Sequence, residues 1–569
     1  MELKKTLIAS AILSAMLTAC GGGSGSDSGS NPTNSAPTDI TLSSASVDEN
    51  SAGATIGQLS ATDADSGESF TFTTSDERFV IDGTSLALAE GLALNYETTS
   101  STQVSVTVTD SASNSYTKLL TINVNDLLDT YQFDSRFNDG SSVSYSGQTA
   151  RHVLIAELNA YIGGQLQSDV ETGVLTSKAD VVAKLKSFYI MTAEEYDLVA
   201  DSFPVTFIDG AEQTVLRTIS SSHKDLSGKI AGNDATGQHK LWNDGEFAGW
   251  GAKGSTTPEQ LVYTYFDMLG DHAQAYIDGG VRTDINGDPI TSIYLTEDGR
   301  DLKQLVQKFL LMAVAYSQGV DDYLDSDLDG KGLLSDNVTN KDDKGYTTLE
   351  HTYDEGFGYF GAAQDYLDYS LEELSGKGGR DDWQGQHDTN GDGAIDLMSE
   401  YNFGQSINAA KRDLGATVAT DFRSSAINAF LAGRQIITDA EGNLTDAELA
   451  ALKDQAAIAV EAWEMAIVAT VVHYINDTHA DLADLAAASA EFSYADLAKH
   501  WSEMKGFALG LQFNPNAALT DAQFEQLHTL MGDMPVTSGD IAGYQADLLS
   551  ARALLAEAYG IHADNAANW

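Results

Sequence analysis

Gln103-Val104-Ser105-Val106-Thr107-Val108-Thr109 alternates polar and apolar residues without a break. A period of two puts every second side chain on one face of an extended strand, so Val104, Val106 and Val108 share a face. β-Branched residues suit that conformation. Leu119 to Val124 repeats the pattern, and Asp110-Ser111-Ala112-Ser113-Asn114 between the two runs is a turn cluster. Upstream, Asp63-Ala64-Asp65-Ser66-Gly67 marks another turn, and short alternating segments continue from Thr38 to about Asp129. Short strands separated by turns over residues 37–129 predict a small all-β sandwich.

The texture changes at Tyr131. Long stretches rich in Ala, Leu, Gln and Glu follow, and all six tryptophans lie there. Leu302, Leu305, Val306, Phe309, Leu310, Ala313 and Tyr316 recur at helical spacing, as do Leu154, Leu158, Ile162 and Leu166. Residues 455–475 are apolar nearly all round, which predicts the centre of a bundle; Glu461, Glu464 and His473 argue against a membrane span. Residues 131–569 are therefore predicted to form one large all-α domain, and the chain as a whole is multidomain.

The 31 Lys and Arg face 84 Asp and Glu, a formal net charge of −53. That excludes nucleic acid as a partner, because phosphate binding needs cationic side chains. It favours divalent cations held by carboxylate oxygens. The single cysteine, Cys20, excludes an intrachain disulfide and Cys-rich metal sites. Lys4-Lys5 and the apolar stretch Thr6 to Ala19 precede it, too short for a permanent span. Leu17-Thr18-Ala19-Cys20 resembles the lipobox of bacterial lipoproteins, which implies residues 1–20 as a signal peptide and lipidation at Cys20. Gly21 after the cysteine implies an outer-membrane address in the cell envelope, with the membrane as a partner through the lipid anchor. Residues 21–36, rich in Gly and Ser, read as a tether.

The sandwich segment resembles cadherin-like repeats through Ala36-Pro37-Thr38-Asp39-Ile40, Ser46-Val47-Asp48-Glu49-Asn50, Ala61-Thr62-Asp63-Ala64-Asp65, Leu94-Asn95-Tyr96-Glu97 and Asp126-Leu127-Leu128-Asp129. The resemblance implies calcium ligands at Glu49, Asp63, Asp65, Glu97, Asp126 and Asp129. Asn95 and Leu128 depart from the family's pattern, and only one repeat is present.

Two Asp-rich loops add further calcium candidates. Asp388-Thr389-Asn390-Gly391-Asp392-Gly393 turns three oxygens inward, with Asp396 and Glu400 as later ligands. Glu400 falls one residue beyond the EF-hand position. Asp325, Asp327, Asp329 and Asp336 form the second loop. A helix over 346–360 carries the apolar stripe Leu349, Tyr353, Phe357 and Phe360, flanked by Glu350 and Asp354, with His351 and Glu355 on the outer face. These four polar residues are a candidate site for iron or another transition metal.

Tyr145-Ser146-Gly147-Gln148-Thr149-Ala150-Arg151, Glu350-His351 with Asp354-Glu355-Gly356-Phe357-Gly358-Tyr359-Phe360-Gly361, and Asp388 to Asp396 resemble the bacterial DUF4856 domain over roughly 131–569. That family is similar to imelysin-like helical proteins of the envelope, which implies a role in iron acquisition beside a TonB-dependent receptor or another surface protein. The imelysin Gly-x-His-x-x-Glu motif is matched in part by His351 with Asp354 and by His500 with Glu503. No His-Glu-x-x-His helix, Gly-x-Ser-x-Gly elbow or phosphate loop is present, so no catalytic residue is assigned. The leading expectation is a calcium-binding lipoprotein with a helical metal- or ligand-binding head. A calcium-dependent cell-surface adhesion protein is the alternative, and a metallopeptidase the third.

Overall fold

A computed structural model of the chain describes residues 34–49, 51, 53–94, 96, 99–125 and 128–569. Cys20, Glu97, Asp126 and the signal and lipobox segment lie outside the described residues. The chain divides into two compact units, Met1–Leu127 and Leu128–Trp569, so Asp129 falls in the helical unit and not in the sandwich.

The first unit is a two-sheet sandwich. One sheet has the order β1 (Asp39–Leu42), β3 (Thr55–Thr62), β6 (Ser85–Leu88), β5 (Phe79–Asp82), and the other β2 (Ser46–Asp48), β8 (Ser115–Asn125), β7 (Ser101–Thr109), β4 (Thr71–Thr74). The β2–β8 pair is parallel and the others are antiparallel. Val104, Val106 and Val108 are completely buried and meet Ile40, Leu86 and Ile122 from the other strands. The alternation at 103–109 is thus the inward face of β7.

The second unit is helical and built around the Asp446–Ala486 helix, which Phe422–Asp439, Tyr494–Ala508 and Ile541–Tyr559 flank. Thr445 and Glu448 open it with a reciprocal capping box. It is long and apolar enough to cross a membrane by composition, but most of its apolar window is buried within the unit. Trp463 at its middle is fully buried and packs edge-on against Tyr316 and Phe360.

The stripe expected to run as one helix from Leu302 to Tyr316 is α-helical only over Leu302–Leu310. It continues as π-helical turns at Leu311–Tyr316 and Gly319–Tyr323. Every residue from Phe309 to Leu324 is buried, so no solvent face constrains the period to 3.6 and wider turns are tolerated. Gly319 makes this rod fit, because a Cβ there would lie 2.8 Å from the Trp463 ring. The second predicted stripe behaves alike: Ser146–Ala160 passes into a π-helical Tyr161–Gln165 before Leu166–Glu171. Single π-helical turns inside helices recur at functional sites.

Candidate functional site

The Thr348–Phe360 helix starts at a capping box in which Thr347 Oγ1 accepts from the Glu350 amide and Glu350 returns the bond to the Thr347 amide. Leu349, Tyr353, Phe357 and Phe360 are buried as one stripe, and Tyr131 stacks on Phe357 at 3.7 Å. Gly356 and Gly358 leave bare faces that Leu324 and Tyr145 fill. Glu350 and Asp354 are not at the margin of the stripe but are themselves buried, and the cation that faces them is Arg434. Its Nε donates to Asp354 Oδ1 at 2.9 Å, its Nη1 lies 3.5 Å from Glu350 Oε1, and its Nη2 donates to Ser142 at 2.6 Å. Tyr131 and the Ser144 amide complete the shell of Asp354, each at 3.0 Å. Burial lifts the Asp354 carboxyl to about 6 against the pull of Arg434. His351 and Glu355 are half-buried: His351 Nδ1 pairs with the Ser144 carbonyl at 2.9 Å, and Glu355 accepts from Gln148 at 2.9 Å. The helix is therefore a bonded hub whose two inner acids share a guanidinium.

The 388–400 loop brings its predicted residues together. Asp388 accepts from the amides of Gly391, Asp392 and Gly393, Asn390 from Asp392, and Asp392 from Ala394. Glu400 folds back to accept from the amides of Thr389, Asn390 and Asp396. Asp396 accepts from Gln213, the Met398 amide and Ser399. Gly391 and Gly393 supply the left-handed conformations, φ 73° and 93°, that let the loop close. The 325–336 loop does not gather its four acids. Asp336 caps the turn that follows it, accepting from the amides of Val338 and Thr339, and Asp329 is exposed. Among the described residues no group of three or more His, Cys, Asp or Glu side chains is arranged to hold a metal ion.

In the sandwich, Glu49 is fully buried and accepts from the Tyr96 amide at 2.7 Å, next to the end of β8. Asp63 accepts from the Asp65 amide, and Asp65 from the Ser35 amide. Asn34 joins that pole to Asn114 at the start of β8, so Glu49 and the Asp63–Asp65 pair sit at opposite ends.

The remaining pair of the second loop, Asp325 and Asp327, lines a cavity of about 690 Å³. Its walls come from the end of the π-helical rod, the middle of the Asp446–Ala486 helix, the 514–518 loop and Tyr559. Four carboxylates face it (Asp325, Asp327, Glu461 and Glu464) against one lysine, Lys453, while Val320, Leu324, Val460 and Met465 are apolar. Burial, with Asp327 adding to it, pushes the Asp325 carboxyl up to about 8. Burial also raises Glu464, which accepts from Tyr559 and Asn514. His239 stands at the edge, its Nδ1 2.8 Å from the buried Asp321. The arrangement has the size of a small-molecule site and a surplus of negative charge.

Sequence reasoning missed Arg434 and the roles of Glu461 and Glu464. A buried-helix stretch interrupted by two acids was the available signal for the latter pair. His500 pairs with Asp481 at 2.8 Å, and Glu503 meets Lys308 at 3.3 Å, so that His-x-x-Glu segment is absorbed by ion pairs.

No curated protein matches the chain. Solved structures similar to part of it include "Crystal Structure of Human Protocadherin-24 EC1-2", at 23% identity over 18% of this chain and 48% of that one, TM-score 0.15. "Protocadherin gammaB7 EC3-6 cis-dimer structure" is similar at 18% identity over 17% of this chain and 27% of that one, TM-score 0.13. The chain thus spans about half or less of these structures. A family match begins where the sandwich ends and stops short of the predicted 569: residues 129–375 match the family described as "Domain of unknown function (DUF4856)".

Proposed function

We propose that the chain is an outer-membrane lipoprotein whose helical head binds a positively charged ligand in the acid-lined cavity, with calcium as the structural ion of the 388–400 loop. The observation that supports this most is the Asp325–Asp327 pair in the cavity wall with Glu464 nearby in the same lining. Burial and the neighbouring Asp327 disfavour the ionised form of Asp325, and a cation bound beside the pair would stabilise that form. The net charge of −53 raises the local concentration of cations around the head. Iron acquisition is the physiological role that the imelysin-like resemblance adds. The adhesion reading rests on the motif pattern of the sandwich alone.

The test is calorimetric titration of the full chain, carrying Cys20→Ser for solubility, with ferrous iron, calcium and an alkylammonium salt. At least one of these is expected to bind, and the Asp325→Asn/Glu464→Gln double variant to weaken it about tenfold or more. Absence of binding by every cation, or binding that ignores the double variant, would refute the reading.

A further inference from the structure

We infer that a second cavity in the helical unit, walled by the π-helical turn at Tyr161–Gln165, binds a small aromatic carboxylate: Lys184 pairs with the carboxylate, and Tyr161, Phe188 and Phe203 give its ring an aromatic wall. This cavity shares no lining residue with the acid-lined one, so the inference stands apart from the cation reading.

Three pieces of chain enclose its volume of about 690 Å³: the π-helical turn with the helices on either side of it, the Lys178–Tyr189 helix, and the segment after the Ala193–Val199 helix. The π-helical turn lines up the first wall. In an unbroken α-helix, residues eight apart drift off a common face by roughly 80°. One wider turn takes that drift back, and Tyr161 and Gln165 both donate to Asp169, at 2.8 Å each. Opposite, the Phe188 ring lies 5.1 Å from that of Tyr161 and 5.5 Å, edge-on, from that of Phe203. Rings spaced in this way offer edges and faces to a further ring. Val199 and Pro204 are exposed at the rim, apolar surface that an inorganic anion would leave uncovered and the body of an organic one would cover.

The charges in the wall decide the sign of the ligand. Both acids there are already occupied. Asp169 holds Tyr161 and Gln165, and the buried Glu157 accepts from the Thr206 hydroxyl and from the amides of Thr206 and Phe207. Lys184 is different. Its ammonium lies 4.8 Å from the centre of the Phe188 ring and 5.2 Å from that of Tyr161, and it makes no hydrogen bond or ion pair among the described residues. Ring faces attract and orient an ammonium, but its three N–H donors stay unused. The chain has 84 acids, yet none pairs with this half-buried lysine at the cavity wall. A carboxylate arriving with the ligand supplies the charge-assisted bond that the fold leaves open. A cationic ligand would meet Lys184 as a like charge and find both acids taken.

The experiment titrates the full Cys20→Ser chain by calorimetry with indole-3-propionate, its neutral primary amide, tryptamine and octanoate. Indole-3-propionate is expected to bind about tenfold or more tightly than each of the other three. Lys184→Met keeps the apolar stem and loses the charge, so it should bring acid and amide to equal affinity; Lys184→Arg should keep the preference for the acid. Phe203→Ala should weaken acid and amide together by about tenfold. Equal binding of acid and amide by the parent, tryptamine binding as tightly as the acid, or a preference that survives Lys184→Met overturns the pairing with Lys184. Octanoate binding as tightly as indole-3-propionate, or Phe203→Ala without effect, overturns the aromatic wall. Binding of none of the four overturns the site.

Discussion

Replacing Arg434 by Met tests whether the Thr348–Phe360 helix is held by a buried ion network. Arg434 has no exposed surface and is the cation that meets Asp354 and Glu350, both themselves buried. Removing one member of a buried pair leaves the others charged in a low-dielectric interior, which costs about 3–5 kcal/mol. Asp354 also sets the pH dependence. The unfolded carboxyl ionises near 3.8 and the folded one at about 6, so its contribution is a penalty that is absent below the first value and complete above the second. Each tenfold change in proton affinity between the two states is worth about 1.4 kcal/mol, so the penalty in the parent is about 3 kcal/mol. Losing Arg434 removes the main group that opposes this rise, so the folded value moves higher and the penalty grows toward neutral pH. Denaturant unfolding at pH 7 and pH 4 is the assay, with the Arg434→Met/Asp354→Asn double variant as the third corner. The single variant should lose about 3–5 kcal/mol at neutral pH and less at pH 4. Asp354→Asn in the same background should recover a large part of the loss. A variant as stable as the parent at neutral pH, or a loss that does not depend on pH, would refute the reasoning.

Three further outcomes are expected. Chelation with EDTA should lower the melting temperature of calcium-loaded chain, since a ligand at about a hundred times its dissociation constant adds about 2.7 kcal/mol; Asp392→Ala should remove most of that difference, and an unchanged melting curve counts against calcium in the 388–400 loop. Cys20→Ser should release the protein from the membrane fraction, and continued sedimentation with membranes would rule out the lipid anchor. Gly433→Ala should destabilise the head by about 1–3 kcal/mol, because the new methyl collides with the Tyr353 hydroxyl that donates to the Ala429 carbonyl at 3.1 Å; a neutral effect in chemical denaturation would show that this packing is slack.

The sandwich was legible because its pattern is local. Val104, Val106 and Val108 announce their face by spacing, and that face is the core. The stripe Leu349, Tyr353, Phe357 and Phe360 was legible for the same reason at helical period. The stripe from Leu302 to Tyr316 reads as one α-helix and is α-helical only as far as Leu310, since a π-helical turn changes the period and a segment buried on all sides has no polar face to mark it. Partners were not legible. Arg434 lies 80 residues from Asp354, and nothing in either neighbourhood names the other. The cavity is harder still, because His239, Asp325, Glu464, Asn514 and Tyr559 come from five separate segments. Glu464 stood out in sequence only as an interruption of an apolar helix. Its meaning depends on Tyr559 and Asn514, which only the packing supplies.

The most direct test of the cation-binding cavity is proton release on binding. Burial and the neighbouring Asp327 hold the Asp325 carboxyl well above the usual carboxylate range, so the pair keeps a proton near neutral pH, and a cation that settles beside it displaces that proton. Titration calorimetry of an alkylammonium salt at pH 7, repeated in buffers of different ionisation enthalpy, counts the protons exchanged. The account predicts proton release on binding at pH 7, falling toward zero as the pH is raised and in Asp325→Asn. Binding at pH 7 with no proton released, or with the same release in Asp325→Asn, would contradict it.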